Sequence, residues 1–541
     1  MKDISSTGSF INFYLNNYIY VDKTKYIRDL IKLERVFISR PRRFGKSLTL
    51  DTIATLFETG VEPYFKGTWI YDKWKEPTYP VLRLNFLNFD KNTLEKFNNK
   101  LNSKITEFAE LNQVTTYKEK DEAEDSIDHL LEQLRLEGRQ IVILIDEYDC
   151  QMTANINNET LYKQFQEKIK SFYANIKDKF AIKFLGITGV TRLKDVSIFS
   201  VGSDINDITN ASAYSQMIGF TRDEIKKYYI DYLKLASSYE NNCSVDDVTD
   251  TQLESMLDMM AQNYDGYCFD EDYEKKVFST WSVNKFFQTM IEKKKVQFGE
   301  YWYDNGGLPS ILVNYLKTHE LNIFEYLDKD KFLKVSSDDF KNPTALTTIN
   351  QNVLMCQTGY LTLRSDLNKT STVALGIPNG EIYKALNRLL ANNIFKGNTD
   401  ITDDYGRSLL EVGTVDDIIN LFNSALNSVS YDNYPIVSES SVQNMLKLYL
   451  LGAHQEVLSE VHEAKGRADL VVNTDNRRIV FEFKYAKNEA EAKSKLSEAV
   501  EQIKTRDYGN ILPKKNELIR IAAVFNADPK VRAFTENQIV P

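Results

Sequence analysis

Apolar residues recur along the first two hundred positions in two rhythms that alternate. Short β-branched runs predict strands: RVFIS at 35–39, VLRLNFLNF at 81–89, IVILID at 141–146 and FAIKFLGITGV at 180–190. IVILID is continuous, as expected of a strand covered on both faces. Between these runs the spacing changes to three and four. KTKYIRDLIKL places Tyr26, Leu30 and Ile31 on one face behind a cap at Asp22, and SLTLDTIATLF follows the same period. Helical pattern fills much of 92–138, broken by a polar patch near 113–125. Leu161, Phe165, Ile169, Phe172 and Ile176 form one stripe. Strands alternating with helices predict a parallel α/β sheet.

Near residue 219 the strand rhythm ends. FTRDEIKKYYIDYLKL and TQLESMLDMMAQNYDGY predict helices, the first opened by a Thr221–Glu224 capping box. Residues 290–430 are mostly helical in pattern, with a polar break near 400–415. A last α/β unit begins near 436, where 454–486 predicts three short strands before the amphipathic KLSEAVEQIKTRDY. The expected organisation is an α/β core over 1–218, helical segments over 219–290 and 291–430, and a second α/β domain over 431–541. A chain of 541 residues has room for about three or four domains.

Composition narrows the class of protein. Apolar content of 42% and charged content of 27% describe an ordinary globular chain. No stretch approaches the ~18 uninterrupted apolar residues of a spanning helix, and MKDISSTGSF has no signal-like layout, so a cytoplasmic protein without membrane partners is expected. Cys150, Cys243, Cys268 and Cys356 are scattered and predict buried thiols of a reducing compartment. Net charge is −10, yet residues 461–541 hold nine Lys and six Arg against twelve acids, a local +3. That local balance is compatible with a polyanion partner.

Two constellations carry chemistry. RPRRFGKS at 40–47 follows a predicted strand and opens a predicted helix. This is the setting of a phosphate-binding loop, although Arg40 stands where G-x-x-x-x-G-K-[ST] has glycine. A loop with Arg40 and Pro41 must turn differently from a glycine-rich one. Arg42, Arg43, Phe44, Gly45, Lys46 and Ser47 are the candidate ATP contacts: Lys46 for the β/γ-phosphates, Ser47 for Mg²⁺, and Arg42 and Arg43 for added positive charge. IVILIDE supplies Asp146 for the Mg²⁺ shell and Glu147 to orient or deprotonate water. GITGVTRL brings Thr188, as a γ-phosphate sensor, and Arg192, as a charge contact, to the same sheet edge.

The second constellation is GRADLVV joined through NTDNR to RIVFEFKY. Glu482 and Lys484 share one strand face, and Asp469 lies on the neighbouring strand. Two carboxylates and a lysine among Val, Ile and Phe are costly to bury without metal or solvent. Asp469 and Glu482 are the candidate ligands of Mg²⁺ or Mn²⁺, with the Phe483 carbonyl beside them. Lys484 is the candidate for orienting water or neutralising the transition state. Glu460 and Gln502 are weaker candidates.

YVDKTKYI (20–27), SRPRRFGKS (39–47), ILIDEYD (143–149), YDGYCF (264–269) and GRADLVV…FEFK (466–484) together resemble a bacterial family of AAA-ATPase-like proteins with a C-terminal PD-(D/E)XK nuclease domain. The resemblance spans nearly the whole chain. It implies an AAA-like P-loop core (1–218), a helical lid (219–290), a helical middle region (291–430) and a restriction-endonuclease-like domain (431–541). The family's loop shares the RPRRFGKS form, and its nuclease triad falls on Asp469, Glu482 and Lys484, with Ala468 in place of the motif's proline. The expected function is an ATP-binding and ATP-hydrolysing protein whose nucleotide state gates a metal-dependent nuclease acting on DNA rather than RNA. Subunits of a homo-oligomer could complete each other's sites. The alternative expectation is an ATP-dependent switch or sensor whose nuclease fold only binds.

Overall fold

IVILID is wholly buried because it forms the inner strand β3 (Ile141–Asp146) of a parallel sheet. In the computed structural model the sheet runs in the order β2 (Val81–Asn85), β3, β4 (Ile182–Gly189), β1 (Arg35–Ser39) and β5 (Asn206–Asp207), every pairing parallel. The structure describes residues 1–541 except 177–178, 194–204, 303–309, 317–318, 320–322, 344, 396–407, 454, 464–465, 512–513 and 516.

Strand β2 is shorter than VLRLNFLNF suggests. Asn85 Oδ1 accepts the Leu87 N–H at 3.0 Å and turns the chain into a 3-10 turn over Phe86–Asn88. The two-residue strand β5 has no sequence signature. The chain divides into two compact units, Met1–Leu321 with Asp330–Ile382, and Asn322–Lys329 with Tyr383–Pro541. The stretch 291–430 is thus shared between them.

In the first unit, helices Arg222–Tyr228, Ile230–Asn241, Asp250–Tyr264 and Thr280–Lys293 pack around Leu233, Met256, Met260, Phe286 and Phe287. The Thr221–Glu224 capping box forms, and Glu224 also takes the Lys23 ammonium at 2.6 Å, which ties these helices to YVDK. FTRDEIKKYYIDYLKL is two helices and not one. Tyr229 breaks it because its ring is stacked on Phe287 at 5.4 Å and its hydroxyl donates to Asn284 at 2.6 Å. The mostly helical middle region also folds a small antiparallel sheet of β6 (Leu333–Ser336), β7 (Thr362–Leu363) and β8 (Thr372–Gly376).

The second unit is built on a mixed sheet: β9 (Glu456–Glu463), β10 (Gly466–Asn473), β11 (Arg477–Ala486), β12 (Glu517–Asn526) and β13 (Ala533–Ile539). Antiparallel β9–β10–β11 is the expected set of three strands. β12 runs parallel to β11 and β13 closes the edge, both beyond the sequence expectation. Phe481 and Phe483 pack beside Phe422 and Phe534 on one face. Val480 and Ala522 pack under the Glu489–Arg506 helix on the other. Among the described residues no helix is long and apolar enough to cross a membrane.

Candidate functional site

From the end of β1 the chain turns through residues 40–45 into the Lys46–Thr59 helix. The turn places Arg43 (φ 68°) and Gly45 (φ 105°) in the left-handed region. Nothing lies within 4 Å of a Cβ built on Gly45, so backbone conformation and not space selects glycine there. Lys46 is 4% exposed. Its ammonium donates to the carbonyls of Arg40 (3.0 Å) and Pro41 (3.2 Å) and stands 3.6 Å from Glu147 Oε1. Ser47 Oγ donates to Asp146 Oδ2 at 2.6 Å, Thr188 Oγ1 donates to Asp146 Oδ1, and Asn85 Nδ2 lies 3.4 Å from Oδ2. Lys46, Ser47, Asp146, Glu147 and Thr188 therefore converge at one edge of the sheet.

Glu147 holds a left-handed backbone (φ 53°). Burial raises its carboxyl above the usual range, with Asp149 and Asp146 adding to the effect and Lys46 opposing it. A carboxyl so raised is a better proton acceptor near neutral pH than an exposed one. The next two residues of the same segment are structural. Asp149 accepts from the Thr191 N–H (2.7 Å) and hydroxyl (2.6 Å), and Tyr148 OH donates to the Thr191 carbonyl at 3.0 Å. This locks the end of β4 that carries Thr188.

The arginines of the loop divide. Arg42 and Arg43 line a cleft of about 330 Å³ beside Lys46 and Ser47. The Arg43 guanidinium lies 4.0 Å over the Trp281 ring, and Thr280 Oγ1 donates to the Arg43 carbonyl at 2.9 Å. Arg40 turns the other way. It is 1% exposed, donates through Nη1 to the Ser39 and Thr209 carbonyls, and stacks 4.2 Å over Phe269. Burial pushes its pKa down to about 9, against the pull of Asp207. Phe44 also packs inward, on Tyr267 (4.7 Å) and Phe269 (5.5 Å). YDGYCF is thus the bed on which the loop rests. Gly266 in it has φ 94°, and a Cβ there would collide with the Pro378 carbonyl oxygen.

Arg192 departs from its expected place. Its Nε is paired with Asp207 on β5, and its backbone exchanges hydrogen bonds with Gln357 at 3.2 and 3.1 Å. It lines a small cavity behind the loop with Arg40 and Phe269 and does not line the cleft. The Asp207 partner, on a strand of two residues, draws it away. The cleft also has walls absent from the list of candidates: Ser5–Gly8, Tyr20, Lys23, Met217–Phe220 and Trp281. YVDKTKYI was the available signal for part of this wall.

In the second unit β10 and β11 pair from Asn473↔Arg478 to Leu470↔Phe481. Just beyond that register Asp469 Oδ2 accepts the Phe483 N–H at 2.8 Å. Glu482 is fully buried; Oε1 accepts from Lys484 Nζ at 2.9 Å, and Oε2 has no hydrogen-bond partner among the described residues. Lys484 Nζ also reaches the Phe483 carbonyl (3.1 Å) and Glu439 Oε1 (3.4 Å). Burial, then Asp469, push the Glu482 carboxyl up to about 7, with Lys484 opposing. Burial alone would lower the Lys484 ammonium, but Glu482, Glu439 and Asp469 together raise it.

Glu439, in the first turn of the Glu439–Gly452 helix, is a site residue the sequence reading missed, and so is Gln443, which donates to the Asp469 carbonyl. Neither belongs to the D…E-x-K spacing. Gln502 Nε2 lies 3.4 Å from Tyr508 OH. Glu460 falls on β9, but its side chain lies outside the described residues.

The acid pair fits a hard divalent cation. Two carboxylates and a carbonyl are oxygen donors, and the buried Glu482 Oε2, unlike the Oε1 that Lys484 holds, finds no hydrogen-bond donor among the described residues. Among the described residues no three His, Cys, Asp or Glu side chains are gathered closely enough to form a metal cage, so carbonyl and water ligands would complete the shell.

Glu482 makes stability depend on pH. The folded chain keeps this proton up to about 7, whereas an unfolded carboxyl loses it near the ordinary 4.5. Stability is therefore full below the lower value and falls as pH rises through the higher, by up to about 3 kcal/mol. In chelator, the wild type is expected to lose more melting temperature than Glu482→Gln between about pH 5 and about pH 8. Equal losses would refute a strongly raised Glu482.

Fold and sites define a P-loop α/β domain and a nuclease-fold domain in one chain. Residues 5–199 match the family described as Predicted AAA-ATPase, and residues 437–535 match the PD-(D/E)XK nuclease superfamily. The chain thus carries an AAA-ATPase-like domain and a C-terminal PD-(D/E)XK-superfamily domain. It is 26% identical over 535 residues to a protein of Azotobacter chroococcum mcd 1 described as an uncharacterized protein in the vnfD 5'region, covering 95% of this chain and 94% of that one. Solved structures with some likeness include Cdc6p from Pyrobaculum aerophilum (10% identity, 72% of this chain and 99% of that one, TM-score 0.24). Another is the Aeropyrum pernix ORC1 protein in complex with DNA (10% identity, 69% and 95%, TM-score 0.28). Scores this low define no shared topology, and the fold is read from the sheet order itself.

Proposed function

We propose that this protein binds and hydrolyses ATP in the Lys46–Asp146 cleft, and that nucleotide state controls a metal-dependent cleavage of nucleic-acid phosphodiesters, DNA above RNA, at Asp469, Glu482 and Lys484. The observation that carries the reading is the presence, in one chain, of two buried acid–lysine clusters, the first at the end of β3 and the second within β10 and β11. Neither cluster is explained by packing.

At the first cluster Lys46 exchanges its two backbone carbonyls for phosphate oxygens, which bring full negative charge where the carbonyls bring a partial one. Ser47 and Asp146 would hold Mg²⁺. Glu147 takes the proton of the attacking water, and Thr188 keeps Asp146 oriented. Mg²⁺ held there with ATP would supply charge neutralisation at the phosphates. At the second cluster Asp469, Glu482 and the Phe483 carbonyl would hold Mg²⁺ or Mn²⁺, which when bound would supply a Lewis acid and an activated water. Lys484, fixed by Glu482, Glu439 and the Phe483 carbonyl, sets a cation beside the phosphate under attack. A homo-oligomer in which subunits complete each other's ATP sites is part of the proposal.

The test is purified chain with supercoiled plasmid, single-stranded DNA or RNA, with Mg²⁺ or Mn²⁺, and with ATP, a non-hydrolysable analogue or neither. Cleavage that requires metal and changes rate with nucleotide is the expected result. ATP binding without cleavage of any substrate would replace it with the switch reading, in which the C-terminal fold is a binding platform. Cleavage indifferent to nucleotide would remove the control.

A further inference from the structure

An arginine beside the acid pair has no role so far. Arg506 ends the Glu489–Arg506 helix and is half-buried. Its side chain lies across Gly466, the first residue of β10: a Cβ built there would meet Arg506 Cδ at 2.5 Å and Nη1 at 3.2 Å. A side chain at 466 would push the arginine off this path. Nη1 donates to Tyr508 OH at 2.8 Å, and Tyr508 is fully buried in the cluster that contains Ala468, the neighbour of Asp469. Gln502 reaches the same hydroxyl at 3.4 Å.

The guanidinium is therefore aimed by a buried anchor and a glycine, and among the described residues it makes no carboxylate ion pair. Glu482 and Asp469 both act on its charge, although neither bonds it. A protein that merely needed to neutralise this acid pair would pair the arginine with it directly. Here one nitrogen is held and the rest of the fork is left for an oxyanion.

We infer that Arg506 grips a backbone phosphate of the nucleic-acid strand lying over the Asp469–Glu482 pair, with Tyr508 as the residue that aims it. The inference rests on the nuclease reading and adds its substrate contact. A phosphate contact carries no base information, so the grip is sequence-independent. Arg suits the task better than Lys because its planar fork meets two phosphate oxygens at once.

The experiment compares full-length wild type, Arg506→Ala, Arg506→Lys and Tyr508→Phe, first for cleavage of one labelled oligonucleotide in Mg²⁺, then for binding of it in Ca²⁺ over a range of salt. Arg506→Ala is expected to raise KM and Kd roughly tenfold with kcat within about threefold, and to lower the slope of log affinity against log salt by about one phosphate contact. Arg506→Lys restores the slope but only part of the affinity, and Tyr508→Phe raises KM less than Arg506→Ala. Protection of each variant by Mn²⁺ against thermal unfolding should equal that of wild type, which excludes damage to the acid pair. Wild-type KM and salt slope in Arg506→Ala would overturn the inference while the nuclease reading stands. Wild type that neither binds nor cuts nucleic acid would remove the reading, and the inference with it.

Discussion

Lys46→Ala lowers the affinity of the chain for ATP by at least about a hundredfold, close to 3 kcal/mol at about 1.4 kcal/mol per factor of ten. The size follows from where the ammonium sits. It is 4% exposed and held by two loop carbonyls, so a triphosphate entering the cleft meets a desolvated, already aimed cation. The alanine leaves the Arg40 and Pro41 carbonyls and Glu147 without this donor, and some loss of melting temperature accompanies it. Trp281 lines the cleft and stacks on Arg43, so its fluorescence offers a titration signal in wild type. Equal ATP titrations of wild type and Lys46→Ala would exclude this cleft as the nucleotide site.

Asp469→Ala lowers metal-dependent cleavage by at least about a thousandfold, near 4 kcal/mol of transition-state stabilisation. Alanine removes two things at once: a carboxylate, and the acceptor for the Phe483 N–H at 2.8 Å. The second loss alone disturbs the split between β10 and β11. Asp469→Asn separates them, since an amide oxygen can still accept that N–H but brings no charge. Both variants are expected to be inactive on plasmid, with the Asn variant closer to wild type in melting temperature. Full plasmid cleavage by either would sink the assignment of Asp469 as a metal ligand.

What the chain announced and what it concealed have physical reasons. The order of strand, loop and helix around RPRRFGKS is written in period and β-branching, and so is buried β3. D…E-x-K in a hairpin is a local spacing, and local spacings survive folding. Contacts that close over long sequence distances are not written that way. Glu439 reaches Lys484 from a helix start with no motif of its own. Asp207 captures Arg192 from a strand of two residues. β12 lies parallel to β11, a pairing that only the sheet reveals. Arg40 was legible only as a departure from the usual glycine, because nothing local to the loop shows that its side chain points into the core.

That inward arginine has a consequence for inheritance. Arg40 rests on Phe269, and Phe44 rests on Tyr267 and Phe269, so loop and bed share one interface although far apart in the chain. Glycine at 40 alone would leave a hole where the guanidinium lies, and a changed bed alone would strand a buried cation. The usual glycine is therefore not one mutational step away. In related chains positions 40, 44, 267 and 269 should drift together, and a search keyed to glycine-rich loops will pass over proteins that kept this bargain.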